Sequence, residues 1–112
     1  MENEIERIAF KYLGRKYRPG FRCLDFVRCV YAEAGLTVPP VARNVKSEEL
    51  TNPPVGHVLF LRHRQAPERR KYTHVAIIIS GGRCIHNSYY FGERVVVTAL
   101  DQILSLYEVV QC

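Results

Sequence analysis

The spacing of apolar residues changes once along this chain, near Pro53-Pro54, from a mostly helical pattern to a mostly β pattern. Helices that precede a run of strands indicate an α+β domain, in which the helices pack on an antiparallel sheet. The chain has 112 residues, which is enough for one hydrophobic core of moderate size. We therefore predict a single α+β domain that spans residues 1–112.

Two helices are predicted before the proline pair. The first covers residues 4–12, where Asn3 can cap the helix and Glu6 has the spacing of a capping box. The second covers residues 23–34, because its apolar positions recur at helical spacing and Gly35 follows as a C-terminal stop.

The second half of the chain predicts an antiparallel sheet of about five strands. Its most apolar run looks buried on both faces, and Gly81-Gly82 after it is typical of a two-residue hairpin turn. The predicted strands cover residues 58–61, 72–80, 83–87, 94–98 and 106–110.

The overall composition is that of an ordinary globular protein, with 47% hydrophobic and 24% charged residues. This balance excludes a disordered tail, a collagen-like repeat and a coiled-coil rod. The longest apolar run, at residues 75–79, is too short to cross a bilayer, so no membrane span is predicted. The first residues, Met1-Glu2-Asn3-Glu4, lack the basic and apolar regions of a signal peptide, and the localisation stays open.

Four cysteines need an interpretation, and none of them belongs to a Cys-x-x-Cys pair. Cys29 and Cys84 have apolar neighbours and are interpreted as buried, inert side chains, while Cys112 is terminal. Cys23 lies at the start of the second predicted helix, where unpaired N–H groups favour a thiolate. We therefore expect Cys23 to be an activated nucleophile, the alternative being a half-buried structural cysteine.

Two histidines lie on the predicted hairpin, His74 at the head of the most apolar strand and His86 on the next strand. A two-residue turn would place residue 74 opposite residue 89, and a small slip or a bulge would bring His86 diagonally close to His74. A cysteine hydrolase needs a thiolate, an imidazole that moves a proton and a polar group that orients this imidazole. We assign Cys23, His74 and His86 to these roles in that order.

Five short segments resemble, in the same order along the chain, the motifs of one known family. They are Leu13-Gly14-Arg15-Lys16-Tyr17, Cys23-Leu24-Asp25-Phe26-Val27, Val55-Gly56-His57-Val58-Leu59-Phe60, Thr73-His74-Val75-Ala76-Ile77-Ile78-Ile79 and Cys84-Ile85-His86-Asn87. Together they make residues 13–100 similar to the NlpC-type cysteine peptidases of bacterial cell-wall turnover, which have a compact papain-like fold.

This resemblance implies that Cys23 is the nucleophile, His74 the base and His86 the orienting residue. It also implies that Tyr17 lines the site, where it would help to stabilise the oxyanion beside the backbone N–H of Cys23. The substrate implied is a peptide amide, most plainly a peptidoglycan fragment that contains D-amino acids. No cofactor or metal is expected, and the oligomeric state stays open.

The chain departs from the family's motifs around the nucleophile. Arg22 stands where the family has Asp, Leu24-Asp25 replace Ser-Gly, and His57 replaces an Asp. These changes leave the three catalytic groups in place but alter the substrate pocket. An amidase, esterase or acyltransferase acting on another substrate is therefore the first alternative.

Two further alternatives come from other classes of protein. A non-catalytic module for an anionic polymer would use the net charge of +5, the basic loop at residues 62–71 and Tyr89-Tyr90-Phe91, but no RNA-binding motif is present and no specific nucleic-acid partner is predicted. A zinc site would need Cys23 and two of the four histidines, His57, His63, His74 and His86, whose spacing matches no closed structural site.

Overall fold

A computed structural model describes residues 3–67 and 69–111, and in these residues three α-helices combine with one five-stranded sheet. The helices are α1 (Glu4–Phe10), α2 (Cys23–Glu33) and α3 (Leu100–Leu106), with short 3-10 helices at Pro40–Arg43 and Ser47–Glu49. The strands are β1 (Val58–His63), β2 (His74–Ile79), β3 (Arg83–Ser88), β4 (Arg94–Ala99) and β5 (Tyr107–Val109). The predicted α+β class is confirmed.

The sheet has the strand order β4-β3-β2-β1-β5, and each pair of neighbouring strands is antiparallel. The strand β2 is central and all six of its residues are buried. Its odd-numbered side chains pack with α1 and α2, whereas Ala76 and Ile78 pack with α3 on the other face. Helices therefore cover both faces of β2, as its continuous apolar run indicated.

Helix α1 is shorter than predicted, because its regular hydrogen bonding ends at Phe10. The amides of Lys11 and Tyr12 bond to carbonyls three residues back, so the last turn tightens before the chain leaves the helix. The predicted cap is present, since Asn3 Oδ1 accepts a hydrogen bond of 3.1 Å from the amide of Glu6.

Helix α3 is absent from the prediction, which assigned only a strand at residues 106–110 to this part of the chain. The helix starts directly after β4, so neither glycine nor proline marks the boundary. Its buried residues Leu100 and Ile103 are three positions apart and face the sheet.

The β2–β3 hairpin differs from its predicted register by one residue. Ile77 pairs with Ile85 and Ile79 pairs with Arg83, so the loop has three residues and includes Gly81 and Gly82 at positive φ. In this register, even-numbered residues of the two strands point to the same face of the sheet. His74 and His86 are therefore on one face, without any bulge.

Among the described residues, no helix has both the length and the apolar character that a bilayer span needs.

Candidate active site

A cavity of about 490 Å³ opens between the start of α2, the ends of the central strands and the loop that joins β1 to β2. Three of the four predicted site residues, Tyr17, Cys23 and His74, line this cavity. The fourth, His86, is fully buried behind His74. The remaining lining residues are His63, Gln65, Ala66, Pro67, Arg70, Thr73, Ser88, Tyr89, Tyr90 and Tyr107.

Cys23 is the first residue of α2, and its side chain is only partly exposed. Burial raises the pKa of the Cys23 thiol, although the backbone N–H groups of Val75 and Leu24 act in the opposite direction. The expected activation of a resting thiolate by the helix start is thus outweighed by desolvation. Burial therefore favours the protonated thiol over the thiolate at Cys23.

His74 and His86 form the polar centre of the site. His74 Nε2 lies 2.7 Å from His86 Nδ1, and His86 Nε2 lies 2.8 Å from the hydroxyl of Thr98 on β4. All three side chains are buried, so the row of hydrogen bonds is shielded from water. The His74 ring stacks on the ring of Tyr107, and the His86 ring meets the ring of Phe91 edge-on, each with ring centroids 5.4 Å apart.

Both histidines are neutral at neutral pH. Burial lowers the pKa of His74 to about 3, with a further contribution from the neighbouring His86, and burial lowers the pKa of His86 to about 4. A neutral imidazole has one nitrogen that accepts a proton. Because Nε2 of His74 is engaged with His86, its Nδ1 is the ring nitrogen that remains for another hydrogen-bond partner. No hydrogen bond between described side chains joins Cys23 to His74.

Tyr17 lines the cavity from the segment that joins α1 to α2. Its backbone N–H donates a 2.8 Å hydrogen bond to the carbonyl of Glu93, and its ring meets Tyr89 edge-on with centroids 6.0 Å apart. Burial and the nearby Cys23 raise the pKa of the Tyr17 phenol, so the hydroxyl keeps its proton and can donate it in a hydrogen bond.

Two residues of the site escaped the sequence analysis. Thr98 is the polar position that ends an otherwise apolar stretch of β4, and this was the only signal for it. Asn87 follows His86 and points to the opposite face, where its Nδ2 donates to the carbonyls of Phe21 and Arg22 at 2.8 and 3.5 Å. Asn87 thus ties β3 to the segment that leads into Cys23.

The basic loop at residues 62–71 forms one wall of the cavity through Gln65, Ala66, Pro67 and Arg70, with Glu68 outside the described residues. Arg62 pairs with Glu108 of β5 at 2.6 Å and donates to the carbonyl of Arg70 at 3.1 Å. These contacts anchor the loop to the sheet, and its residues line the cavity.

The other cysteines and histidines give no metal centre, because no three His, Cys, Asp or Glu side chains of residues 3–67 and 69–111 are grouped to hold an ion. Cys84 is buried as expected, but the interpretation of Cys29 as buried is wrong. Cys29 is exposed because it lies on the face of α2 that turns away from the sheet. Cys112 lies outside the described residues.

Comparison with known proteins gives a consistent result. A family model described as NlpC/P60 family matches residues 7–111. The crystal structure of the NlpC/p60 domain of the peptidoglycan hydrolase SagA is 26% identical with a TM-score of 0.69, and the match covers 97% of this chain and 96% of that one. A search of the curated proteins finds no match.

Two longer proteins share the fold. An NlpC/P60 family protein from Bacillus cereus is 22% identical with a TM-score of 0.73, over 97% of this chain and 39% of that one. NlpC1 from Trichomonas vaginalis is 17% identical with a TM-score of 0.72, over 95% of this chain and 41% of that one. These likenesses confirm the papain-like fold and the resemblance noted in the sequence. The chain belongs to the NlpC/P60 family.

Proposed function

We propose that this chain is a cysteine hydrolase that cleaves an amide bond in a peptidoglycan peptide, with Cys23 as nucleophile, His74 as general base and His86 as the orienting residue. One observation carries the proposal: Cys23 and His74 line the same accessible cavity, and His74 is held from behind by a 2.7 Å hydrogen bond to buried His86. A cysteine hydrolase needs a nucleophile, a base and an orienting group close together, and the proximity of these three residues supports the proposal.

The substrate class is supported by the comparisons. The SagA domain, which this chain matches over nearly the whole length of both, is described as part of a peptidoglycan hydrolase. The cavity agrees with a peptide ligand, because its lining includes both polar side chains, such as Gln65, Thr73 and Ser88, and several tyrosine rings.

The reaction starts from a neutral pair. His74 Nδ1 takes the proton of the Cys23 thiol while the sulfur attacks the carbonyl carbon, and a carbon–sulfur bond forms. The resulting imidazolium keeps its Nε2 proton directed at His86 and returns the other proton to the leaving nitrogen as the C–N bond breaks. A water molecule then gives a proton to His74 and attacks the thioester, which releases the acid and restores the thiol.

The negative charge on the carbonyl oxygen needs hydrogen-bond donors during both steps. The backbone N–H of Cys23 is in the first turn of α2, where helix amides have no partner within the helix. Tyr17 lines the same cavity, and burial raises the pKa of its phenol, so the hydroxyl remains protonated. We assign these two groups to the oxyanion.

The proposal is tested by incubating the protein with purified peptidoglycan fragments and with a panel of amide and ester substrates, with products followed by mass spectrometry. We expect amide cleavage by the wild type, a loss of at least about 10³-fold in kcat for Cys23→Ala, and full activity for Cys29→Ala on the same helix. Thermal unfolding of both variants checks that the fold is intact.

Activity retained by Cys23→Ala would exclude the thiol mechanism. Cleavage of esters but no amides would contradict the substrate class while leaving the nucleophile in place.

A further inference from the structure

Helix α2 begins without a capping side chain at its N-cap, although its first residue is the proposed nucleophile. The N-cap residue is Arg22, and its guanidinium carries only donors, so it cannot accept a hydrogen bond from the free amides of the first turn. The backbone ahead of Cys23 must therefore be fixed by contacts from other residues.

The peptide group that joins Phe21 to Arg22 is held at both ends by side chains. The carboxylate of Asp25 accepts a 2.9 Å hydrogen bond from the backbone N–H of Arg22. On the other side, Nδ2 of Asn87 donates a 2.8 Å hydrogen bond to the carbonyl of Phe21. Because a peptide group is planar, it cannot rotate without breaking one of these two bonds.

The next peptide group joins Arg22 to Cys23 and carries the N–H that we assign to the oxyanion. Its carbonyl oxygen accepts a 3.0 Å hydrogen bond from the amide of Phe26 and lies 3.5 Å from Nδ2 of Asn87. This peptide bond is trans, so the N–H of Cys23 points away from that carbonyl. Contacts that hold the oxygen therefore also fix the direction of the N–H.

The Asn87 side chain makes these contacts from a completely buried position on β3. Its Oδ1 has no hydrogen-bond partner among the described residues, and an unpaired buried acceptor destabilises the folded state. The amide cannot be turned round, because its oxygen would then face the two carbonyls. What this side chain contributes is its donor group, which acts on the segment that leads into Cys23.

We propose that Asp25 and Asn87 are positioning residues that aim the backbone N–H of Cys23 at the carbonyl oxygen of the substrate. Neither residue is among the described residues that line the cavity, so both act through the two peptide groups next to Arg22. Donors stabilise an oxyanion most when they are fixed before the charge develops. This inference rests on the proposed function, because it takes Cys23 as the nucleophile.

The test compares two reactions of the same sulfur, of which one forms an oxyanion and the other does not. With p-nitrophenyl acetate, the Cys23 sulfur attacks the carbonyl carbon through a tetrahedral oxyanion; a thioester forms, and p-nitrophenol leaves with the thiol proton. With iodoacetamide, the sulfur displaces iodide at a saturated carbon, so no oxyanion donor is needed. Mass spectrometry of the Cys23 peptide at short reaction times gives both rate constants. A change in the thiolate fraction affects both reactions, so the readout is the ratio of acylation to alkylation.

Removal of either positioning contact should lower this ratio. We expect Asp25→Ala and Asn87→Leu each to reduce it by about tenfold, because a misdirected donor loses part of its effect on the oxyanion. Asp25→Asn removes the charge but keeps an oxygen that can accept from the Arg22 amide, and it should stay within about threefold of the wild type. The double variant Asp25→Ala/Asn87→Leu should lose less than the product of the single losses, since both side chains hold the same peptide group.

The matched control is Glu49→Ala. Glu49 Oε1 accepts a 2.9 Å hydrogen bond from the backbone N–H of Lys46 at the start of a short helix, which is the same kind of contact as that of Asp25. Glu49 is not among the described residues that line the cavity, so its loss should leave the ratio unchanged. Thermal unfolding identifies the variants that fold, and the Asp25 variants decide the test alone if Asn87→Leu does not fold.

An unchanged ratio in either Asp25→Ala or folded Asn87→Leu would overturn the proposal and leave these residues a role in folding only. Equal decreases for Asp25→Asn and Asp25→Ala would also overturn it, because the charge of Asp25 and not its hydrogen bond would then matter. A similar decrease for Glu49→Ala would show a general effect on the fold and would overturn it as well.

Amide turnover by the wild type separates this proposal from the proposed function. Cleavage of peptidoglycan amides, combined with a ratio that neither positioning variant changes, would support the hydrolase and reject the positioning role. A ratio that falls as expected in a protein that cleaves no amide would support the positioning of the Cys23 N–H and reject the hydrolase.

Discussion

His74 Nε2 lies 2.7 Å from His86 Nδ1, across two neighbouring strands of the sheet, and the other nitrogen of His86 lies 2.8 Å from Thr98 Oγ1. The row has two possible directions of proton donation. If His86 Nε2 donates to Thr98, His86 Nδ1 accepts from His74, and His74 Nδ1 is free to accept the thiol proton. The opposite direction would leave a proton on His74 Nδ1 and block the base. The orientation of this row is thus tied to the activity that we propose.

Replacing His86 by Ala should lower kcat by about 10²-fold and leave KM nearly unchanged, because the base loses its orienting partner but the cavity keeps its lining. His86→Asn is the conservative control, since an amide oxygen can take the place of Nδ1 and accept from His74. We expect His86→Asn to recover activity to within about tenfold of the wild type. Steady-state kinetics on both variants checks this, and equal losses in the two would contradict an orienting role.

Replacing Thr98 by Val should reduce kcat by about tenfold and the free energy of unfolding by roughly 1–2 kcal/mol, because the buried His86 Nε2–H is left without an acceptor. Thr98→Ser keeps the hydroxyl and should restore activity. Kinetics and urea unfolding on the pair give both values. A Thr98→Val enzyme as active as Thr98→Ser would mean that the hydroxyl does not fix the tautomer of His86.

The sequence predicted the parts of this site that depend on local pattern. A cysteine at the start of a helix and two histidines on one hairpin follow from helical spacing and from the turn at Gly81-Gly82, and both features are present. The hairpin register was missed by one residue, because two adjacent glycines fit both a two-residue and a three-residue loop. The true register brings the histidines together without the slip or bulge that the prediction required.

Contacts between residues that are far apart in the chain could not be predicted from the sequence. Thr98 contacts His86 only because β4 pairs with β3, and Asn87 reaches Phe21 across 66 positions of the chain. The thiol illustrates a second limit, since the helix start favours a thiolate but the depth of burial decides its pKa. A sequence pattern can indicate the position of the cysteine at the helix start, but it does not indicate how deeply the thiol is buried.

The raised pKa of Cys23 gives a specific expectation for alkylation. In the free protein, the rate of iodoacetamide labelling at Cys23 should keep rising beyond about pH 8.5, the value for an ordinary thiol, and should have no plateau in the acid range. Mass spectrometry of the Cys23 peptide over pH 5–10 measures the profile, with Cys29 as an exposed internal reference. A plateau below pH 7 would show a resting thiolate–imidazolium pair, contrary to the neutral pair described above.

Stability should fall as the pH drops below about 6.5, because His74 and His86 are buried as neutral rings. Their pKa values in the folded state are lowered to about 3 and about 4, so between pH 6.5 and 4 the unfolded chain binds protons that the folded chain does not. Each histidine can therefore remove up to about 2 kcal/mol from the free energy of unfolding between pH 7 and pH 5.

His86→Asn isolates this effect from the titration of carboxylates, because it removes one buried imidazole and leaves the acidic residues unchanged. Urea unfolding of the wild type and of His86→Asn at pH 7, 6 and 5 gives the free energies. We expect the variant to lose up to about 2 kcal/mol less than the wild type over this range, in proportion to the proton that His86 no longer takes up on unfolding. Parallel losses in the two proteins would mean that His86 is already protonated in the folded state at pH 5, and the neutral hydrogen-bonded row could not then be the resting form of the site.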